Sequence, residues 1–564
     1  MKLKKLNLLL LILILLLDRN LAASDKKAEE TLGKFKKNFS LALKTAYKAE
    51  PNNSSRLFNF SLDLKNNQES NPGFITDPEE WSRLSLIKPK TTRAFLEMAA
   101  LMTYSQARYW IKYSRFIEDW QYELKWKDQK RRFFTTEALR FDSNAFYLNW
   151  THAFAGMLYY EFGRSNHLPW YKSLLFSTLG SLYWEYIVEW REIISINDNI
   201  MTGLGGYVLG ESWFQMGRYF LNTPNPVGRF LSWLNPYLKI NGYFDRHHPL
   251  PPYTHNFNSA AQDVYLFVGY RNSPTSSISQ NTGNLAVSLH SRLITEPVYG
   301  LPGKVEENFT EPFYSQLDFD FMFHGESREE MGASAKVVPL GRFIQKISEE
   351  GQGYSLYYGL GSTFYLYVKR PLTEYDAGHL PVNKPEEFHF EEPRNFRDKL
   401  AAVNFLGPVA DVMFYRRSWK FHLRAEAYPS FGMINAWAFN KYSVDHDVLG
   451  MKSTLTYYGY YYGFGPSFEA LGEIRFKSLR LQASTLYHHY RSAQGRDRFQ
   501  SWITDDSVVY DSRWHHGLNL EFKIPKTNVS VLASSQWVRR WGKVHEVEDR
   551  GLEKRYYLGL KYHL

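Results

Sequence analysis

The chain reads as a mainly β protein with an α-helical N-terminal module, its β part an antiparallel transmembrane barrel of about twelve strands. Three observations predict this. Apolar and polar residues alternate with a period of two after residue 260. Short and long connections take turns between the alternating segments. Aromatic residues make up 17 % of the chain, and there is no cysteine.

Composition narrows the classes first. A chain of 564 residues can bury a large core, but only 44 % of it is hydrophobic, too little for a polytopic helical membrane protein. Without cysteine there can be no thiolate zinc site, iron–sulfur cluster, cysteine nucleophile or disulfide. Tyr, Phe and Trp in this abundance suit the interfacial girdles of a barrel. The formal charge of +10 comes without a dense Lys/Arg block in a nucleic-acid motif. Nucleic acid is therefore not expected as a partner. Outer-membrane lipid, anionic lipid included, and other envelope proteins are.

The N-terminus indicates export. Met1-Lys2-Leu3-Lys4-Lys5 is basic, Leu8 to Leu17 is an unbroken Leu/Ile run, and Ala22-Ala23-Ser24 offers a cleavage site. Residues 1–23 are expected to be a signal peptide, and the mature chain to keep a charge of about +7. The expected location is the outer membrane of a diderm bacterium. Residues 24–143 form a charged helical and irregular segment, 144–250 a helical module that bears the motifs, and 251–564 the barrel. Pro224, Pro226, Pro236 and the run His247 to Pro252 mark the last boundary.

The alternation is cleanest near the end. Tyr556, Leu558, Leu560, Tyr562 and Leu564 share one face, and Arg555, Tyr557, Gly559, Lys561 and His563 the other. Trp514 to Ile524, Trp419 to Tyr428 and Gln316 to Phe323 behave alike. Strands are expected near 262–271, 284–294, 312–323, 335–346, 353–369, 398–416, 419–429, 451–476, 479–490, 512–524, 529–540 and 553–564. Tight turns fall at Arg417-Ser418, Lys477-Ser478 and Pro525 to Asn528, and long connections at 370–397, 430–450, 491–511 and 541–552. That rhythm is the outer-membrane pattern. An even strand count places the N-terminal module on the periplasmic side. Twelve strands leave a lumen that side chains can fill, so a wide pore is not expected, and the module, periplasmic or membrane-associated, is expected to dock under the lumen or plug it. The connection 295–311 is long for a periplasmic turn, and 451–476 could hide a bend at Gly463 to Pro466.

Residues 144–221 carry the most specific sequence. Glu185, Glu189 and Glu192 lie at i, i+4 and i+7 on one helix face. Ser195-Ile196-Asn197-Asp198 reads as a turn and helix cap, and Gly205, Gly206 and Gly210 form a small-residue strip where another backbone could approach. His152, Glu185, Glu189 and Asp198 are the right residue types for acid–base chemistry or for a metal site of oxygen and nitrogen ligands, provided neighbouring helices bring His152 and Asp198 to the glutamates. The structural alternative is that the glutamates serve helix termini and Asp198 caps. In the barrel, alternation sends His515 and His516 to opposite faces.

This region resembles the bacterial envelope proteins that share the uncharacterised domain numbered 3943 among domains of unknown function. The resemblance rests on His152, Gly156, Tyr159 and Tyr160, then Ser181, Trp184-Glu185-Tyr186 and Glu189. It continues with Ser195, Ile196, Asn197, Asp198 and Thr202, and ends with Gly205-Gly206 and Gly210-Glu211. Gly203 stands where the pattern has Pro after Thr, and Ala153 where it has Pro after His. The resemblance implies an envelope protein and supplies no activity. The expected function is a structural, lipid-handling or transport role in the envelope, with no cofactor and no metal. The alternative is a lipid-modifying hydrolase using His152 with Glu185, Glu189 or Asp198.

Overall fold

A computed structural model describes residues 88–113, 121–143, 146–223, 226–242, 261–276, 283–324, 327–369 and 398–564. The expected signal peptide, the charged helix at 25–50 and the connection 370–397 lie outside the described residues. All described residues belong to one of the chain's two units, Ser82–Leu564.

Helices come first in the chain. They are α1 (Thr91–Tyr113), α2 (Trp126–Phe134), α3 (Phe146–Ser165) and α4 (Trp170–Tyr183), the last running into a π-helical turn at Trp184–Val188. A two-residue parallel pair, β1 (Leu139–Arg140) and β2 (Ile194–Ser195), flanks them. Then come α5 (Ile196–Ile200), a second π-helical turn (Met201–Gly205), α6 (Gly206–Asn222), α7 (Pro226–Leu231) and α8 (Pro236–Ile240). Ser195 caps α5 as its sequence predicts: its backbone is extended and its hydroxyl accepts from the Asp198 amide.

The strands follow: β3 (Gln262–Ser276), β4 (Gly283–Ile294), β5 (Gly303–Phe309), β6 (Tyr314–His324), β7 (Ser327–Ile347), β8 (Gln352–Lys369) and β9 (Lys399–Arg416). They continue with β10 (Trp419–Asn435), β11 (Tyr460–Phe476), β12 (Leu479–Ser492), β13 (Val509–Lys523), β14 (Val529–Val544) and β15 (Val547–His563). Every strand except β5 pairs antiparallel with two neighbours, and β15 pairs with β3 to close the ring. The barrel therefore has the twelve strands expected, and closure leaves no edge in the ring. The length of 295–311 is explained by β5, which pairs with β7 from Gly303↔Ile347 to Phe309↔Gly341 outside the ring.

Two connections differ from expectation. The segment 451–476 does not bend at Gly463. It holds a short helix, α10 (Ser453–Tyr458), before β11; another, α9 (Phe439–Asp445), precedes it. The expected long loop at 541–552 is a hairpin in which Val544 pairs with Val547 across a two-residue turn at His545-Glu546. His545 takes the left-handed conformation there (φ 49°), as do Arg417 and Lys477 in the short turns at the opposite end.

Parity holds around the ring. Outward positions such as Leu423, Phe468, Leu518 and Leu558 are exposed and apolar, while inward positions such as Arg424, Glu473, Arg480 and Glu521 are buried and charged. The inward charges compensate one another. Arg480 lies 2.6 Å from both Glu473 and Asp263, Lys336 lies 2.5 Å from Glu469, and Arg555 lies 3.1 Å from Glu330. Apolar clusters cap the network. Near the short turns, Tyr299 and Phe313 of the β4–β6 connection pack on Phe343 and Tyr357. At the other end, Phe439, Tyr442 and Leu455 pack with Tyr461 and Tyr490. A polar chamber of about 420 Å³ remains between them.

Candidate functional site

The helical module is assembled by close backbone crossings. A Cβ on Gly156 would overlap the Thr202 carbonyl oxygen, and one on Gly206 would sit 2.5 Å from the Gly156 carbonyl carbon. Glycine at both positions is what lets α3 and α6 touch. Gly210 gives way to the Tyr160 ring, where a Cβ would stand 2.7 Å from Cδ1. The crossing is pinned by polar contacts. Ser177 on α4 donates to the Thr202 carbonyl (2.6 Å), and the buried Glu211 accepts from Tyr160 (2.6 Å) and pairs with Arg164 (2.8 Å).

This framework brings the four candidate residues into one cluster. His152 on α3 places Nε2 3.3 Å from Oδ1 of the buried Asp198. The same oxygen accepts from Asn197 Nδ2 at 2.9 Å. Asn197 Oδ1 in turn accepts from the Asp142 amide (2.8 Å) and the Ser195 hydroxyl (3.0 Å). Glu185 is buried and accepts the Ser195 amide proton at 2.7 Å; Glu189 accepts from Trp184 Nε1 at 2.8 Å.

The Ser195 hydroxyl is turned away from histidine chemistry. It donates to Asn197 and accepts from the Asp198 amide (3.2 Å), the geometry of a cap and not of a nucleophile. Among the described residues, no group of three or more His, Asp or Glu side chains converges as a metal site. What the cluster does visibly is hold a turn. The i, i+4 glutamates read from the sequence do not sit on a regular helix face, because the chain passes into a π-helical turn at Trp184.

Arg132, outside the motif, completes the arrangement. Its side chain is buried and donates to the carbonyls of Tyr186 (2.8 Å), Glu189 (3.0 Å), Glu192 (2.8 Å) and Glu185. These carbonyls lie in and just after the π-helical turn that follows α4, and a cation is favoured at that C-terminal pole. Nothing in the local sequence, Lys130-Arg131-Arg132, separates it from its exposed neighbours. The long connection between β12 and β13 also joins the cluster: Arg498 pairs with Asp142 (2.5 Å) and Glu192 (3.5 Å), and Phe141 exchanges backbone hydrogen bonds with Arg496 and Arg498.

The module does not plug the lumen or hang beneath it, as expected from the sequence; it packs on the outer wall of the barrel. Its partners there are outward residues, including Leu317, Ala333, Ala335, Phe364, Ala401 and Val403. A Cβ on Gly205 would lie 3.3 Å from Val403 Cγ2, and Trp213 meets Phe319 edge to face at 5.9 Å. Ser212 donates to the Lys336 carbonyl at 3.1 Å. The physical reason is surface matching: wall positions under the module are small or flat, and a lumen filled with paired charge has no room for helices.

The barrel histidines divide by parity as predicted. His488 and His515 face the chamber, while His516 stacks on Trp514 at 5.6 Å on the outer side.

Residues 138–236 match the family model described as a domain of unknown function, DUF3943, a longer stretch than the motif run from His152 to Glu211. No curated protein sequence matches the chain. Among solved structures, the translocator domain of the autotransporter NalP from Neisseria meningitidis is similar at 8 % identity and a TM-score of 0.18, over 55 % of this chain and 90 % of that one. The Acinetobacter baumannii outer-membrane protein Omp33 is similar at 6 % identity and 0.17, over 54 % and 100 %. A porin refined at 1.8 Å is similar at 8 % and 0.17, over 53 % and 98 %. The fold assignment, a closed outer-membrane-type barrel, rests on the strand pairing itself.

Proposed function

We propose that this chain is an outer-membrane protein whose barrel anchors the wall-bound helical module, giving it a structural and lipid-handling role in the cell envelope and no role as an open pore. One observation carries the reading: the motif residues pack against the outward face of the barrel, while the inward face is occupied by paired charges and capped at both ends. A belt of exposed apolar side chains needs lipid around it, and a module fastened to that belt meets lipid before any other substrate. In planar bilayers the purified protein is expected to give no steady porin-like conductance. Stable open channels would count against this reading. In cells, loss of the protein is expected to change envelope lipid composition, and a Gly156→Val variant with an unassembled module to fail to restore it.

A hydrolase reading draws on the 3.3 Å contact between His152 and Asp198, a pair that could activate a water molecule. It requires His152→Ala to abolish lipid turnover while the protein stays folded and in the membrane. Unchanged lipid composition with that variant would remove it and leave the anchoring role standing.

A further inference from the structure

The outer face of α4 has the polarity of a membrane surface. Tyr171, Leu175, Leu179, Leu182 and Ile187 recur three to five residues apart, and each is between 38 % and 55 % exposed. The opposite face carries Ser173, Ser177, Gly180 and Ser181, all buried. A water-facing helix on a soluble core has the reverse order. Small and hydroxyl residues inward with leucine outward is the order found where the surroundings are hydrocarbon.

Placement supports the same conclusion. Trp170, at the start of α4, donates to the Thr310 carbonyl beside β5, toward the short-turn end of the barrel (2.8 Å). Within the π-helical turn, Glu185 bonds to Ser195, and the adjoining Phe141 and Asp142 are tied to Arg496 and Arg498 in a connection at the opposite end. The 14 residues of α4 and five of the turn cover roughly 28 Å at about 1.5 Å per helical residue, close to the ~25 Å height of a barrel's apolar band. No helix among the described residues is by itself long and apolar enough to cross a membrane. This one lies on α3 and α6, which take up its polar side.

We infer that the outward face of α4 is a lipid-contact surface, continuous with the exposed apolar belt of the barrel and covered by acyl chains of the bilayer. The helical module is then a bulge in the membrane wall, inside the bilayer and not in an aqueous compartment. This rests on the reading that the barrel itself sits in a bilayer.

The chain has no cysteine, so single-cysteine labelling needs no prior substitutions. Leu175→Cys and Leu179→Cys are spin-labelled in the full chain and reconstituted into phosphatidylcholine vesicles, beside Leu518→Cys on the barrel belt and Lys526→Cys in a short turn. Collision with oxygen, which partitions into lipid, is compared with collision with a water-soluble nickel chelate. The oxygen-to-nickel ratio at 175 and 179 is expected to match that at 518 and to exceed that at 526 severalfold. Nickel access at 175 and 179 equal to that at 526 would overturn the inference, and so would low collision with both reagents, which would mean protein covers the face. A water-like ratio at 518 as well would instead refute the bilayer placement of the barrel.

Discussion

The barrel and the helical module solve the same boundary problem in opposite ways. Both put polar groups inside and apolar groups outside. In the barrel the inversion is written at period two, so that Arg555 and Lys561 turn inward while Tyr556, Leu558 and Leu560 turn outward. The barrel's backbone needs no side-chain help, because closure satisfies the ladder. The module brings α3, α4 and α6 together around buried apolar side chains such as Met157, Tyr160, Met201 and Tyr207. It does so with glycine crossings at Gly156 and Gly206 and with a few buried polar contacts. The barrel is thus held by many distributed pairings, the module by a small number of crossings that allow no extra atom.

That contrast can be broken at defined points. The largest effect is expected from Arg480→Met, which leaves Glu473 and Asp263 buried with less countercharge. A loss of about 3–5 kcal/mol is expected, read as a lower denaturant midpoint for the heat-modifiable band of the barrel. Gly156→Val should cost roughly 3 kcal/mol by forcing the α3–α6 crossing apart, yet leave barrel mobility on gels intact. Limited proteolysis should then cut between residues 146 and 222 and spare the strands.

The smallest effect is expected where module and barrel terminus meet. Tyr219 donates to the Leu564 carbonyl at 2.6 Å, and Tyr219→Phe should cost about 1 kcal/mol in thermal unfolding.

What could be read from the sequence follows from the same physics. Strand parity and the tight turns at Arg417-Ser418 and Lys477-Ser478 were legible because one buried face forces alternation. The β14–β15 hairpin was not. Past Trp541 the segment carries Lys543, Glu546, Glu548, Asp549 and Arg550, and charge on both faces of a strand beyond the apolar band looks like a loop. In the module, the capping role of Ser195 and the glycine strip were visible, and so was the meeting of His152 with Asp198 as a condition to be met. The site of docking was not visible, since an apolar stripe on α4 carries the same period whether protein or lipid covers it. Arg132 was missed because four carbonyl acceptors, 53 to 60 residues away, leave no local signature.

If the module rides on the outside of the barrel, adjacent positions of one strand will report it. Val403 faces outward toward Gly205, while Ala402 faces inward with Tyr461 and Tyr490. In the cysteine-free chain, Gly205→Cys combined with Val403→Cys should oxidise to a disulfide seen as a gel shift, whereas Gly205→Cys combined with Ala402→Cys should not. Cross-linking through 402 and not 403 would place the module inside the barrel and contradict the account.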